Sequence, residues 1–163
     1  RQLESEGVQS LLLSVGGNVR AIGGKILNAD NQESYWTIWI QYPDKTSDQE
    51  DMFALIIAGL SVVSSGVYER YYTVNDIRYH HIIDPETLMP AGRFAQVTLL
   101  CPDSGLADAL STYVFNLSAE EGMRYIESLE NMEACWVTGE GEILYSSGFS
   151  AYIKASGKDR SDR

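Results

Sequence analysis

Along most of the chain the apolar residues alternate with polar ones or run in short blocks, the pattern of strands rather than helices. Val8–Val15 (VQSLLLSV) predicts a strand, Gly16-Gly17-Asn18 a tight turn, and Val19–Ile22 the strand that pairs back. Tyr35–Gln41 (YWTIWIQ) alternates large apolar and polar residues and predicts a strong strand. Phe53–Gly59, Leu60–Ser64 and Tyr68–Val74 follow as short β-type runs, then a turn at Asn75-Asp76 and a strand over Arg78–Ile83. Arg93–Cys101 is a further strand, closed by Pro102. The period then changes. Ser104 to about Phe115 spaces Leu106, Leu110, Tyr113 and Val114 as one helical face, and those side chains are expected in the core. Ser118-Ala-Glu-Glu121 is a capping box opening a second helix, with Met123, Ile126 and Leu129 on one side. Glu133–Thr138 and Glu142–Tyr145 predict a last hairpin around Gly139–Gly141. Arg1–Gly7 reads as the end of a helix stopped by Gly7. The expected fold class is α+β: a mostly antiparallel sheet carrying a helical hairpin. Pro43–Asp51 is expected as a solvated acidic loop. Residues 1–152 are expected as one domain, and 153–163 as a polar, disordered tail.

Composition narrows the partners. The 163 residues include 12 Lys and Arg against 23 Asp and Glu, a net charge of −11, which disfavours a nucleic-acid binder because phosphate contacts need a basic face. An anionic small ligand requires local help from a metal or backbone N–H groups. No run of 18 apolar residues is present, and the polar opening Arg1–Gly7 does not read as a secretory signal. Cys101 and Cys135 form no CxxC pair and sit in apolar strand-like surroundings, so they read as small buried hydrophobes, with a disulfide between them as the alternative.

Three segments could carry chemistry. Gly16 and Gly17, in Ser14–Arg20, let backbone approach a ligand closely, although a plain β-turn uses the same residues. In Tyr79–Thr87 the chain's two histidines, His80 and His81, are adjacent. On a strand they point to opposite faces and cannot easily share a metal, so one should face a pocket and the other solvent. In Asp103–Thr112, Asp108 and Thr112 lie four apart on a helix, one turn apart on one face. Ala107, Ala109 and Ser111 leave room around them. A carboxylate and a hydroxyl so placed suit a hard cation such as magnesium, or form an idle surface pair.

In this order the three segments resemble the FAD:protein FMN transferase family, the ApbE-type flavin transferases. Ser14–Asn18 matches the family's strand and glycine turn, and His81–Pro90 (HIIDPETLMP) is similar to its H-I-I-D-P-x-T-G-x-P segment. Ala107–Thr112 matches its A-D-A-L-S-T helix letter for letter, and Ser64–Gly66 with Tyr68-Glu69-Arg70 resembles the strand ahead of the histidine. Leu88 departs from the family's glycine and should stiffen or shift its turn. The resemblance covers roughly residues 7 to 152 and implies the C-terminal portion of such an enzyme, T-fold-like, with the family's upstream half expected to be missing. It implies Mg²⁺-dependent transfer of the FMN part of FAD to a Ser/Thr hydroxyl of a target flavoprotein, releasing AMP. It makes Asp108 and Thr112 metal ligands, His81 the active-site histidine at the transferred phosphate, and Gly16, Gly17, Asn18 and His81 the residues near FAD. Arg78 could pair with a phosphate, and Trp36, Trp39 and Tyr79 could stack on a ring, though a surface arginine and core aromatics are the commoner outcomes. Family resemblance further suggests an exported, membrane-anchored lipoprotein. The alternatives are a catalytically incomplete FAD-binding or interaction module, and a structural domain. Leu11, Leu13 and Val15 and the Tyr35–Gln41 run are expected to be exposed, and to drive self-association or association with an N-terminal portion.

Overall fold

A computed structural model describes residues 2–26, 33–43 and 51–154. Most of the acidic loop and nearly all of the expected tail lie outside the described residues. A short helix, α1 (Gln2–Ser5), leads through Gly7 into β1 (Leu11–Val15) and β2 (Asn18–Ile22). Two small ribbons follow, β3 (Lys25–Ile26) with β4 (Glu33–Ser34), and β5 (Trp36–Gln41) with β6 (Asp51–Ile57). After β7 (Ser61–Gly66) come a hairpin of β8 (Tyr71–Val74) and β9 (Ile77–His80), and the long strand β10 (Phe94–Cys101). Helices α2 (Ser104–Phe115) and α3 (Ala119–Glu127) precede β11 (Glu133–Thr138), β12 (Ile143–Tyr145) and a 3₁₀ turn at Phe149–Tyr152.

Six strands form the main sheet in the order β1-β2-β7-β10-β11-β12, and every pairing in it is antiparallel. The strand period of two then builds two cores. Val63, Val97, Leu99 and Cys101 point to one face, where Ala107, Val114, Phe115 and Ile126 of the helical hairpin cover them. Val62, Leu100 and Cys135 point to the other, under Ile38, Ile40, Leu55 and Ile57 of the β5–β6 ribbon and Phe149 of the 3₁₀ turn. The fold is therefore three layers, helices on sheet on ribbon: the antiparallel sheet with its helical hairpin is as expected, and the covering ribbon is a finding of the structure. The two cysteines lie buried and unbonded on opposite faces of the sheet. Burial pushes the Cys135 thiol up to about 12, which keeps it protonated and inert.

Both helices are capped at their first turn, α3 by the capping box its sequence predicts. The Asp103 carboxylate accepts from the backbone N–H of Gly105 and Leu106, each at 3.0 Å. Ser118 and Glu121 complete the capping box, Ser118 accepting from Glu121 N–H and Glu121 from Ser118 N–H. The core-facing side of α2 differs from the expectation. Leu106 and Tyr113 are each 49% exposed, and the buried positions are Ala107, Ser111, Val114 and Phe115. The helix packs on β7 and β10, and small residues at 107 and 111 allow its backbone to approach the sheet. Bulky side chains go to the outer flank, where the Tyr113 ring meets Tyr125 of α3 edge-on at 5.1 Å.

At the open edge of the sheet, β1 leaves Leu13 and Val15 exposed and Leu11 half-buried. In the Trp/Ile run Ile38 and Ile40 are buried and Trp39 is exposed, so that run is covered on one side only.

Candidate functional site

The Gly16-Gly17 turn joins β1 to β2 with φ of +59° and +91°, the left-handed pair that a two-residue hairpin requires. Nothing lies within 4 Å of a Cβ built on either glycine, so the turn is open to solvent on its outer side. Asn18, which follows, is opposite Val63 of β7. The turn therefore sits beside the second half of β7, the part that α2 covers.

Asp108 and Thr112 are both exposed on α2, one turn apart as predicted. Their direction follows from helix geometry. Successive residues rotate by about 100°, so Asp108 and Thr112 stand on the flank opposite Leu106, Leu110 and Tyr113. Tyr113 meets α3, and α3 packs on β11. The Asp108–Thr112 flank thus faces the other way along the sheet, toward β2 and the glycine turn, and α2 does touch β2. Beneath this flank, Ser111 is fully buried. Its hydroxyl donates to the carbonyl oxygen of Asp108 at 2.8 Å and meets the hydroxyl of Ser65 in β7 at 2.7 Å. Among the described residues no group of three or more His, Cys, Asp or Glu gathers to hold a metal. Asp108 and Thr112 offer two hard oxygen donors, which fit part of a magnesium shell whose remaining places go to water or phosphate oxygens.

The two histidines separate as expected of neighbours on a strand. His80 is 8% exposed, its ring 6.3 Å from that of Phe115 at the C-terminal end of α2, just past Thr112. Its Nε2–H donates to the Ala91 carbonyl at 2.8 Å, and its Nδ1 accepts from Ile82 N–H at 3.3 Å. His81 is exposed, and its Nδ1–H donates to the Arg70 carbonyl at 3.2 Å, which makes Nε2 the lone-pair nitrogen of that tautomer. A cavity of about 560 Å³ is lined by both histidines with Arg70, Tyr72, Leu88 and Met89. A second, of about 540 Å³, lies across His80 between Arg78, Phe94 and the Thr138–Gly141 turn. Neither cavity is lined by the glycine turn or by Asp108 and Thr112. Arg78 is exposed, with its guanidinium carbon 4.3 Å above the Tyr71 ring, and Tyr79 stacks on Tyr72 at 5.4 Å. Trp36 packs against the ribbon-side core and Trp39 is exposed, so neither tryptophan lines these cavities.

His80 is a structural group that the adjacency of the pair conceals in the sequence. Burial lowers its pKa below the ordinary 6.5, assisted by the nearby charges of His81 and Arg78 and opposed by the Ala91 hydrogen bond. A second proton would sit on Nδ1 against the Ile82 N–H. The unfolded chain takes up that proton as pH falls through about 6.5, and the folded chain only at lower pH. The His80 contribution to stability is therefore complete above that value and is lost as pH falls below it. Denaturant melts at about pH 7.5 and about pH 5 should show this loss, and a His80→Gln variant should show a smaller one. An identical pH dependence in the variant would contradict the assignment.

The turn after His81 holds Leu88, the residue in place of the family's glycine, in a left-handed conformation. Asp84 accepts from the N–H of Glu86 at 2.8 Å and of Thr87 at 3.3 Å, and Leu88 N–H closes onto the Asp84 carbonyl at 2.8 Å. Leu88 has φ of +57° and is 75% exposed. It holds a left-handed conformation that costs a leucine about 1–2 kcal/mol, with almost no packing in return. Leu88→Gly relieves this at a cost of about 0.5–1 kcal/mol in unfolded-state entropy. A net gain of about 0.5–1 kcal/mol in urea denaturation is expected, and a loss of stability would show the leucine unstrained.

Comparison with known proteins gives a consistent result. The family model described as ApbE family matches residues 1–136. The chain is 33% identical over 150 residues to the FAD:protein FMN transferase of Treponema pallidum, covering 90% of this chain and 41% of that protein. It is 34% identical over 146 residues to a protein of the same name from Klebsiella pneumoniae, covering 89% and 42%. The apbe protein of Thermotoga maritima superposes with a TM-score of 0.77 at 29% identity, over 90% of this chain and 45% of that one. The apo flavinyl transferase ApbE of Pseudomonas stutzeri superposes with a TM-score of 0.71 at 28% identity, over 96% and 47%. The chain thus spans about two fifths of the length of these named relatives.

Proposed function

The chain belongs to the ApbE family, and from that premise we propose that it forms part of an FAD:protein FMN transferase, which moves the FMN moiety of FAD onto a Ser/Thr hydroxyl of a target flavoprotein. The observation that carries the reading is the identity, over nine tenths of the chain, to a relative of that name. The acceptor oxygen attacks the phosphorus of the FMN phosphoryl group. An O–P bond forms, the pyrophosphate P–O bond breaks, and AMP leaves with the bridging oxygen. Such a reaction asks the protein for position and charge stabilisation more than for covalent chemistry. His81, with Nδ1–H on Arg70 and the lone pair on Nε2, is suited to take the acceptor hydroxyl proton. Asp108 and Thr112 would hold a magnesium ion, which supplies charge neutralisation at the phosphate oxygens. The Gly16–Asn18 turn, open and beside that flank, offers backbone N–H groups to the nucleotide. Local neutralisation of this kind reconciles an anionic ligand with a net charge of −11.

The open edge at β1, with Leu13 and Val15 exposed, supports association with a second copy or with a further portion of the enzyme. The test of function is incubation with FAD, magnesium and an acceptor flavoprotein. Flavin fluorescence on the denatured acceptor and release of AMP are the expected result. FAD binding without transfer would instead favour an interaction module, and neither binding nor transfer would end the proposal.

A further inference from the structure

Ser65 and Ser111 share a hydrogen bond that the function above does not explain. Ser111 lies on the sheet-facing side of α2, fully buried, where alanine would fill the same space. Burying a hydroxyl there is unfavourable unless it is bonded. It is bonded twice, and the direction of the bonds is determined. Ser111 has one proton, and it goes to the Asp108 carbonyl at 2.8 Å. The 2.7 Å contact must then run from the Ser65 hydroxyl to the Ser111 oxygen. A hydrogen-bonded chain therefore passes from strand β7 into the turn of α2 that carries Asp108 and leads to Thr112. The other sheet contacts of α2, through Ala107, Val114 and Phe115, are apolar and set by fit which side of the helix meets the sheet, whereas the Ser65 bond is directional. At the far end, Asn116 donates to the Thr112 carbonyl at 3.0 Å, and Arg93 to the Asn116 carbonyl at 2.6 Å. Among the described residues, the Ser65 link is the side-chain hydrogen bond that ties the sheet to α2 beneath the Asp108–Thr112 pair.

We propose that Ser65, acting through Ser111, is a positioning residue that orients Asp108 and Thr112 and so sets their affinity for a divalent cation. The inference rests on the metal reading given above. The structure provides an internal control. Ser64, the next residue, points to the opposite face and bonds the Thr98 hydroxyl at 2.8 Å. Ser64→Ala therefore removes a comparable hydroxyl bond from the same strand without touching α2.

The test is Mn²⁺ titration of the protein, free Mn²⁺ being read by its paramagnetic resonance signal, alongside thermal melting. Loss of an outer partner of a metal ligand commonly weakens binding by about tenfold or more. Ser65→Ala and Ser111→Ala should raise the Mn²⁺ dissociation constant by about tenfold, and Ser65→Thr, which keeps the hydroxyl, should restore it. Ser64→Ala should match Ser65→Ala in melting temperature yet bind Mn²⁺ like the parent protein. Equal metal affinity in the Ser64 and Ser65 alanine variants would overturn the proposal and reduce the bond to a structural one. Undiminished Mn²⁺ binding by Asp108→Ala would instead remove the metal reading beneath it, and the proposal with it.

Discussion

On the proposed transferase reading, Asp108→Ala is expected to lower magnesium-dependent flavin transfer by the full-length enzyme about 10²-fold or more while leaving the melting temperature nearly unchanged. The two halves of this expectation have separate grounds. Asp108 is exposed on the flank of α2, away from the buried face, so truncation removes no core contact. Alanine is also the better helix former, and surface changes of this kind usually stay within about 0.5 kcal/mol. Activity should respond because a carboxylate is the only formal charge the Asp108–Thr112 pair can offer a cation. A hydroxyl alone does not hold magnesium against its tightly bound water. Thr112→Val, which keeps the shape and removes the oxygen, should weaken transfer less, in line with the loss of a neutral ligand. The measurement is initial rate of covalent flavinylation against magnesium concentration. Ordinary turnover by Asp108→Ala at ordinary magnesium would sink the assignment.

The histidine pair should give opposite phenotypes when substituted. His81→Ala should lower transfer by about 10²–10⁴-fold, the usual worth of general acid–base catalysis, with little change in stability. His81 is exposed, and its ring bonds a loop carbonyl that the His81 backbone N–H also bonds and keeps in the variant. His80→Ala should instead destabilise the fold by about 2–3 kcal/mol, since it leaves the Ala91 carbonyl and Ile82 N–H unpaired and opens a space beside Phe115. Transfer per folded molecule should then fall less than in His81→Ala. Denaturation curves and kcat measured on the same preparations separate the two effects. Small, equal effects of the two substitutions on rate would refute the role of His81.

The elements of the chain were legible because each rests on a local rule. The two glycines at 16 and 17 can only be a tight hairpin turn, and both have positive φ. Ser118 announced the start of the second helix, and the structure places α3 directly after it, whereas the Asp103 cap of α2 emerged only with the structure. Arg93–Cys101 read as a strand from its β-rich composition, and the structure then divides it residue by residue between two cores, with Leu99 on one face and Leu100 on the other. The motif spacing, read together with these elements, also carried the family.

Rotation of α2 was not settled at that level. Leu106 and Tyr113 satisfy helical periodicity as well as Ala107, Ser111, Val114 and Phe115 do. The choice falls to the separation between helix and sheet, which favours small side chains beneath the axis. The weak signal was there in Ala107 and Ser111 at i and i+4, ahead of Val114-Phe115. Likewise, alternation said that one histidine faces inward but not which, since the answer depends on Ala91 and Phe115, far along the chain. The Ser65–Ser111 bond joins residues 46 apart, and its partner was invisible until strand and helix were stacked. What the sequence by itself determined are properties of neighbours: turns, caps, periods and motif order. What only the tertiary structure decided are orientations and long-range pairings, because these are set by the distance at which two layers pack and by which buried polar groups can satisfy one another there.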